Sequence, residues 1–267
     1  MSALPALPRR ERLVVGASLC GIALLAWSYT IYEARRMHAT GVCECLRLKM
    51  SGPEFSSWPA ATLLPLFFMW AIMMIAMMLP SALPMILTFG AVTRNRQRLG
   101  HPYVPMSIFV AGYVAIWSVF SALAAAAQWW LHRHALLSTS MMSTNAWLGG
   151  TLLLGAGVFQ FSPLKNTCLT HCRGPLEFIM TRWREGGGGA FRMGLEHGAF
   201  CAGCCWALMA LLFVAGVMNI IWIAVLTLLV SAEKMLPAPA RINLVTGVLL
   251  AIWGVYVLAG YLNFGMS

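Results

Sequence analysis

Apolar residues gather along this chain into long runs separated by short polar stretches. Seven runs stand out, at about 13–32, 60–79, 104–130, 146–164, 194–216, 219–236 and 242–263. Most of them approach or reach the ~20 residues that a helix needs to cross the hydrocarbon of a bilayer. A helix satisfies its own backbone groups in lipid, so the pattern predicts an all-α, polytopic transmembrane helix bundle of about seven spans. Residues 1–267 then form a single integral membrane domain, with an outer loop at about 33–58 and a cytoplasmic interfacial segment at about 172–190. Two places are ambiguous. Pro80 to Val92 is apolar and reads as an extension or re-entry after the second span, and the sixth run follows the fifth after only Val217 to Asn219, as in a broken helix. Leu13 to Tyr32 is too long for a signal peptide and lacks a small-residue cleavage site, so it reads as a retained first span.

Composition agrees with this picture. The chain is 60% hydrophobic and 10% charged, against roughly 45–50% and 25% in soluble domains, which excludes a soluble enzyme and a disordered chain. The net charge of +10 would suggest nucleic acid in a soluble protein; here it reports topology, because Lys and Arg collect on the cytoplasmic side. With the N-terminus inside, thirteen of the eighteen basic residues fall in cytoplasmic segments, among them Arg9, Arg94, Arg96, Lys165, Arg173, Arg192 and Lys234. The expected orientation is N-in/C-out in the cell inner (cytoplasmic) membrane, with the lipid bilayer as partner and no nucleic acid. Trp58, Trp129, Trp130, Trp147 and Trp222 fall near the outer interface, where amphipathic rings anchor. Pro175 to Glu185 reads as an interfacial amphipathic helix with a flexible exit at Gly186–Gly189. The sequence contains no P-loop, dinucleotide fingerprint, His-Glu-x-x-His or tandem repeat.

The candidate chemistry is soft. Cys168, His171 and Cys172 follow the fourth run, and His197, Cys201, Cys204 and Cys205 lie in the fifth. At ~100° per residue, the last four fall within a fan of about 100° on one helix face. A Cys-x-x-Cys pair with a His one turn upstream offers two or three ligands from one helix, and a His-Cys pair from another element completes a trigonal or tetrahedral site. Met73, Met77 and Met78 form thioether rows in the second run, and Met209 follows Cys205 by one turn. Thioethers suit Cu(I), which makes these residues a candidate relay. Glu196 and Glu233 are candidates for a proton role, since ionisable groups inside a span are costly. Lys234 reads as a side chain snorkelling to the interface, and the lone Cys20 as packing. A weaker set on the other side comprises His38, Cys43, Glu44, Cys45, His132, His134, Met141 and Met142.

Three stretches carry a resemblance. They are Met77-Met78-Leu79-Pro80-Ser81, Lys165-x-x-Cys168-x-x-His171-Cys172-Arg173 and Gly198-x-x-Cys201-x-Gly203-Cys204-Cys205-Trp206-x-Leu208-Met209, continued by Gly216-Val217-Met218-Asn219 and Glu233-Lys234. Together they resemble a bacterial family of uncharacterised integral membrane proteins described as predicted metal-binding, over roughly residues 60–236. The resemblance implies a multi-span protein with Cys and His ligands; it supplies no substrate or reaction.

The expectation is therefore an integral membrane metal-binding protein that handles copper(I), by binding, relay or delivery to a partner such as a metallochaperone or metalloenzyme. One alternative is a metal-dependent membrane oxidoreductase acting on a lipophilic substrate. Another is a structural subunit stabilised by zinc, the other metal that thiolate and imidazole ligands suit.

Overall fold

The computed structural model describes residues 8–51, 60–134 and 146–264; the side chains of 38–51, 60 and 261–264 lie outside that description. Among the described residues the regular structure is helical, with no strand. The helices are α1 (Arg9–Ser51), α2 (Leu63–Arg98), α3 (Met106–Arg133), α4 (Ala146–Phe159), α5 (Pro163–Arg173), α6 (Pro175–Arg182), α7 (Gly186–Ala210), α8 (Leu212–Ala215), α9 (Ile220–Met235) and α10 (Pro239–Phe264). Among the described residues, five stretches are long and apolar enough to cross a membrane: Arg9–Met37, Leu63–Arg98, Met106–Arg133, Gly186–Ala215 and Pro239–Gly260. The fourth and sixth apolar runs give the shorter helices α4, of 14 residues, and α9, of 16.

Several boundaries differ from those expected. The segment Pro80 to Val92 does not re-enter; it continues α2 to Arg98 with Pro80 and Pro84 inside the helix. A proline lacks the N–H that would bond the carbonyl four residues back, so Pro80 leaves the Ala76 carbonyl without its helical donor. The indole N–H of Trp27 on α1 donates to that carbonyl at 3.1 Å. The first helix also runs on to Ser51, through much of the stretch read as an outer loop. Gly186–Gly189 is not a flexible exit but the first turn of α7. Gly186 enters at φ 73°, and a Cβ on Gly189 would lie 2.7 Å from the Arg184 carbonyl. The helix preceding it, α6, is only 8 residues long and buries Phe178 and Ile179.

Small residues let the long helices touch backbone to backbone. A Cβ on Gly112 of α3 would overlap the Phe191 carbonyl of α7, and one on Gly194 of α7 would overlap the Phe109 carbonyl of α3. The same holds between α4 and α10, where a Cβ on Gly157 would sit 2.7 Å from the Ala251 nitrogen. The α3–α7 contact, flanked by α2, α5 and α9, surrounds the chemistry.

Basic and acidic residues meet at one end of this group. Arg94 pairs with Glu11, and Arg96 with Glu185. Glu196 faces Arg182, Arg184 and Arg192 at 3.4, 3.2 and 3.5 Å. All of these belong to segments that the charge pattern assigned to one side.

Candidate metal centre

Helix α7 turns His197, Cys201, Cys204 and Cys205 inward, each no more than 3% exposed. Its glycines then decide what they meet. At Gly198 a Cβ would lie 3.1 Å from the Tyr113 carbonyl, so α3 comes close enough for the Tyr113 hydroxyl to stand 3.1 Å from the Cys201 sulfur. At Gly203 a Cβ would lie 2.9 Å from the Cys168 sulfur, so the missing side chain is what admits α5 on the other flank.

The second element arrives with α5. Ser162 caps this helix by accepting from the Lys165 backbone N–H at 3.1 Å, and Pro163 occupies its first turn. That start sets the phase of Cys168 and Cys172, four residues apart on one face. Interaction with the Cys201 and Cys204 thiols, more than burial, holds the Cys172 thiol well above the ordinary range. Cys168 is likewise raised, first by burial and then by the nearby Cys204. Within α7, the thiols of Cys204 and Cys205 donate to the Cys201 carbonyl at 3.1 and 3.0 Å. Cys168 on α5 and Cys201, Cys204 and Cys205 on α7 are buried, and Cys172 is partly exposed.

His197 lies beside them in an aromatic box. Its ring stacks on Tyr113 and Phe109 at 5.6 and 6.0 Å, with Phe178 edge-on at 5.5 Å. Its Nδ1 is buried and finds no hydrogen-bond partner. An unpaired nitrogen of this kind is costly in the interior, and it suits a donor position whose partner is a ligand. Among the described residues, no three His, Cys, Asp or Glu side chains stand ready-made around a metal position; the thiols satisfy one another and the backbone instead. The donor set, sulfur with one imidazole, is nonetheless of the kind that holds Cu(I) or Zn.

Lys234 departs most from its expected place. Rather than snorkelling, it is buried, and its Nζ reaches the Cys201 sulfur at 3.0 Å, Ser81 Oγ at 3.1 Å and the Met78 sulfur at 3.8 Å. The reason is local: among these acceptors the ammonium is solvated by protein, so it has no need of the interface. Its neighbour Glu233 points elsewhere. Glu233 accepts from Lys165 Nζ at 2.8 Å and Gln160 Nε2 at 3.1 Å, and its backbone carbonyl accepts from Arg173 at 2.7 Å. Lys165, expected in a cytoplasmic loop, is wholly buried in this pair. The sequence reading missed Lys165, Lys234 and Tyr113 as parts of the centre. For Lys234, a cation within the sixth apolar run was the available signal; Lys165 and Tyr113 carry none.

Of the methionines on α2, Met78 reaches this region, 3.8 Å from Lys234 Nζ. Met69, Met73, Met74, Met77 and Met78 are buried, as is Met209 on α7. Because α2 continues to Arg98, Met77 and Met78 lie mid-helix and not at its inner end. The remaining candidates stand apart. Glu196 sits among the three arginines, and His171 stacks on Phe200 at 4.3 Å with its Nδ1 against the Thr167 carbonyl at 2.8 Å. His134 packs on Trp130 at the end of α3. The side chains of His38, Cys43, Glu44 and Cys45, together with Met141 and Met142, lie outside the described residues.

Comparison with known proteins gives one family. The model of the family described as "PpoB2: Copper chaperone" matches residues 67–257, and the chain belongs to that family. No curated protein and no solved structure matches.

Proposed function

We propose that this chain, as a member of the PpoB2 copper chaperone family, takes up Cu(I) as cargo inside the membrane and passes it to a partner metalloprotein. The observation that carries this reading is the convergence of Cys172 on α5 with the buried Cys201, Cys204 and Cys205 on α7. Cys168 and His197 stand beside them as further donors, and His171 as an outer one. Thiol and imidazole donors favour a soft ion over Mg or Ca. Cu(I) entering here replaces the thiol hydrogen bonds to the Cys201 carbonyl and displaces thiol protons, so uptake is linked to proton release. Glu233 and Glu196 are the acidic side chains proposed to take those protons, Glu196 from its place among the arginines at the basic end. Met73, Met77 and Met78 form an approach along α2, with Met209 behind the thiols.

In this reading the chain crosses the cytoplasmic membrane seven times, N-terminus inside, with α4 and α9 as short spans whose ends are completed by their neighbours. The family assignment favours cargo handling over oxidoreductase chemistry.

The test is elemental analysis of the detergent-purified protein beside Cys201→Ser/Cys204→Ser, with thiol counting on the same samples. Near-stoichiometric copper that disappears in the variant supports the proposal. Copper retained by the variant overturns the ligand assignment; zinc in place of copper supports a zinc-stabilised subunit; no metal with fewer than eight free thiols indicates a disulfide protein.

A further inference from the structure

A lysine ammonium carries three N–H donors and no acceptor. At Lys234 three acceptors stand around Nζ, and they come from two different helices: Met78 Sδ at 3.8 Å and Ser81 Oγ at 3.1 Å on α2, and Cys201 Sγ at 3.0 Å on α7. The lysine itself is on α9. A buried cation therefore sits between the thioether row and the thiols, held by two of the sulfur atoms that would carry copper across that gap. The arrangement around it is closed further by Tyr113, whose hydroxyl lies 3.1 Å from both the Met78 carbonyl and the Cys201 sulfur.

We propose that the Lys234 ammonium is a built-in placeholder for the copper ion, occupying the point between Met78 and Cys201 until Cu(I) displaces it. This inference rests on the copper reading of the thiol region and adds to it a specific transfer step. Copper arriving at Met78 needs the thioether lone pair that faces Nζ, and copper moving on to Cys201 needs the sulfur that Nζ also holds. Two cations cannot share that contact, because like charges repel most strongly where water is excluded. Loading thus requires the ammonium to withdraw. Met78 and Cys201 are the pair between which the ion passes.

The neighbouring residue supplies the restraint on that withdrawal. Glu233 is tied by Lys165 and Gln160, and its carbonyl by Arg173, so the last turn of α9 is fixed toward α4 and α5. Withdrawal is then a movement of the Lys234 side chain and not of the α9 backbone. The fixed backbone lets the ammonium return when copper leaves, which makes the step reversible. Lys234 is in this sense a positioning residue and not a ligand.

The experiment is stopped-flow transfer of Cu(I) from a bicinchoninate complex to the detergent-purified full chain, in wild type, Lys234→Leu and Lys234→Arg. Leucine removes the ammonium and offers copper no ligand atom. Lys234→Leu is expected to load about tenfold faster, the factor for one hydrogen bond to a charged group at the low end of its ordinary strength, with copper stoichiometry unchanged. Lys234→Arg, which keeps the cation, is expected to load no faster than wild type. Equal rates in wild type and Lys234→Leu overturn the placeholder. So does faster loading in both variants, since the charge is then irrelevant. If Lys234→Leu fails to fold, Met78→Leu supplies the reading: slower loading at unchanged stoichiometry supports the transfer pair, and an unchanged rate overturns it. Wild type that takes up no Cu(I) defeats the copper reading itself, an outcome distinct from all of these.

Discussion

Lys165 on α5 and Glu233 on α9 meet at 2.8 Å, with side chains that are 0% and 1% exposed. Two opposite charges so completely withdrawn from water depend on each other. Removing one partner leaves the other unpaired in the interior, which typically costs about 3–5 kcal/mol. Lys165→Met is therefore expected to lower thermal stability sharply in detergent. The double variant Lys165→Met/Glu233→Leu is expected to recover much of the loss. Equal stability of wild type and Lys165→Met would show that the pair is not formed.

A single donor covers the backbone fault at Pro80. Trp27→Phe keeps an aromatic side chain, though a smaller one, and removes the N–H that reaches the Ala76 carbonyl. Leaving a buried acceptor unpaired costs roughly 1–3 kcal/mol. The variant is expected to lose stability of that order and to exchange amide hydrogens faster around residues 76–84, read by mass spectrometry.

Contact between α3 and α7 depends on the absence of side chains at Gly112 and Gly194. Gly194→Ala forces the helices apart, an overpacking that costs about 1–3 kcal/mol. Because Tyr113 and Cys201 ride on those two helices, the same variant is expected to lower copper stoichiometry, measured by elemental analysis beside the melting temperature.

At Gly203 the effect is local. A methyl group there meets the Cys168 sulfur at 2.9 Å, so Gly203→Ala is expected to push that thiol outward. Maleimide labelling followed by mass spectrometry reads the result as faster modification of Cys168 than in wild type.

The two acidic candidates separate cleanly by position. Glu196 is partly exposed among Arg182, Arg184 and Arg192, and surface pairs contribute about 0–1 kcal/mol. Glu196→Gln is expected to leave stability and copper content near wild type while slowing any proton release that accompanies loading. Met73→Leu/Met77→Leu, by contrast, is expected to alter copper uptake while sparing zinc binding.

Much of this architecture was determined by the sequence itself. Long apolar runs have few ways to satisfy their backbone in lipid, so the helical class followed from the runs alone. A helix repeats every ~3.6 residues, and for that reason the shared face of His197, Cys201, Cys204 and Cys205 was legible from spacing. The basic residues at Arg94, Arg96, Arg182 and Arg184 marked one end by the same kind of local argument.

Tertiary structure decided what the periodicity could not carry. Consecutive residues on a helix point about 100° apart, so Glu233 and Lys234 face different neighbours, which spacing along α9 does not identify. Packing sent the first toward Lys165 and the second toward Cys201. Whether a buried lysine is expelled to the interface or retained depends on acceptors that other helices bring, here Met78, Ser81 and Cys201. The same dependence explains α2: Pro80 reads as a boundary within its own segment, and the helix continues because Trp27 of another helix supplies a donor to the carbonyl that Pro80 leaves open. Spacing along one helix determines which groups share a face; the neighbours across that face determine what each group becomes.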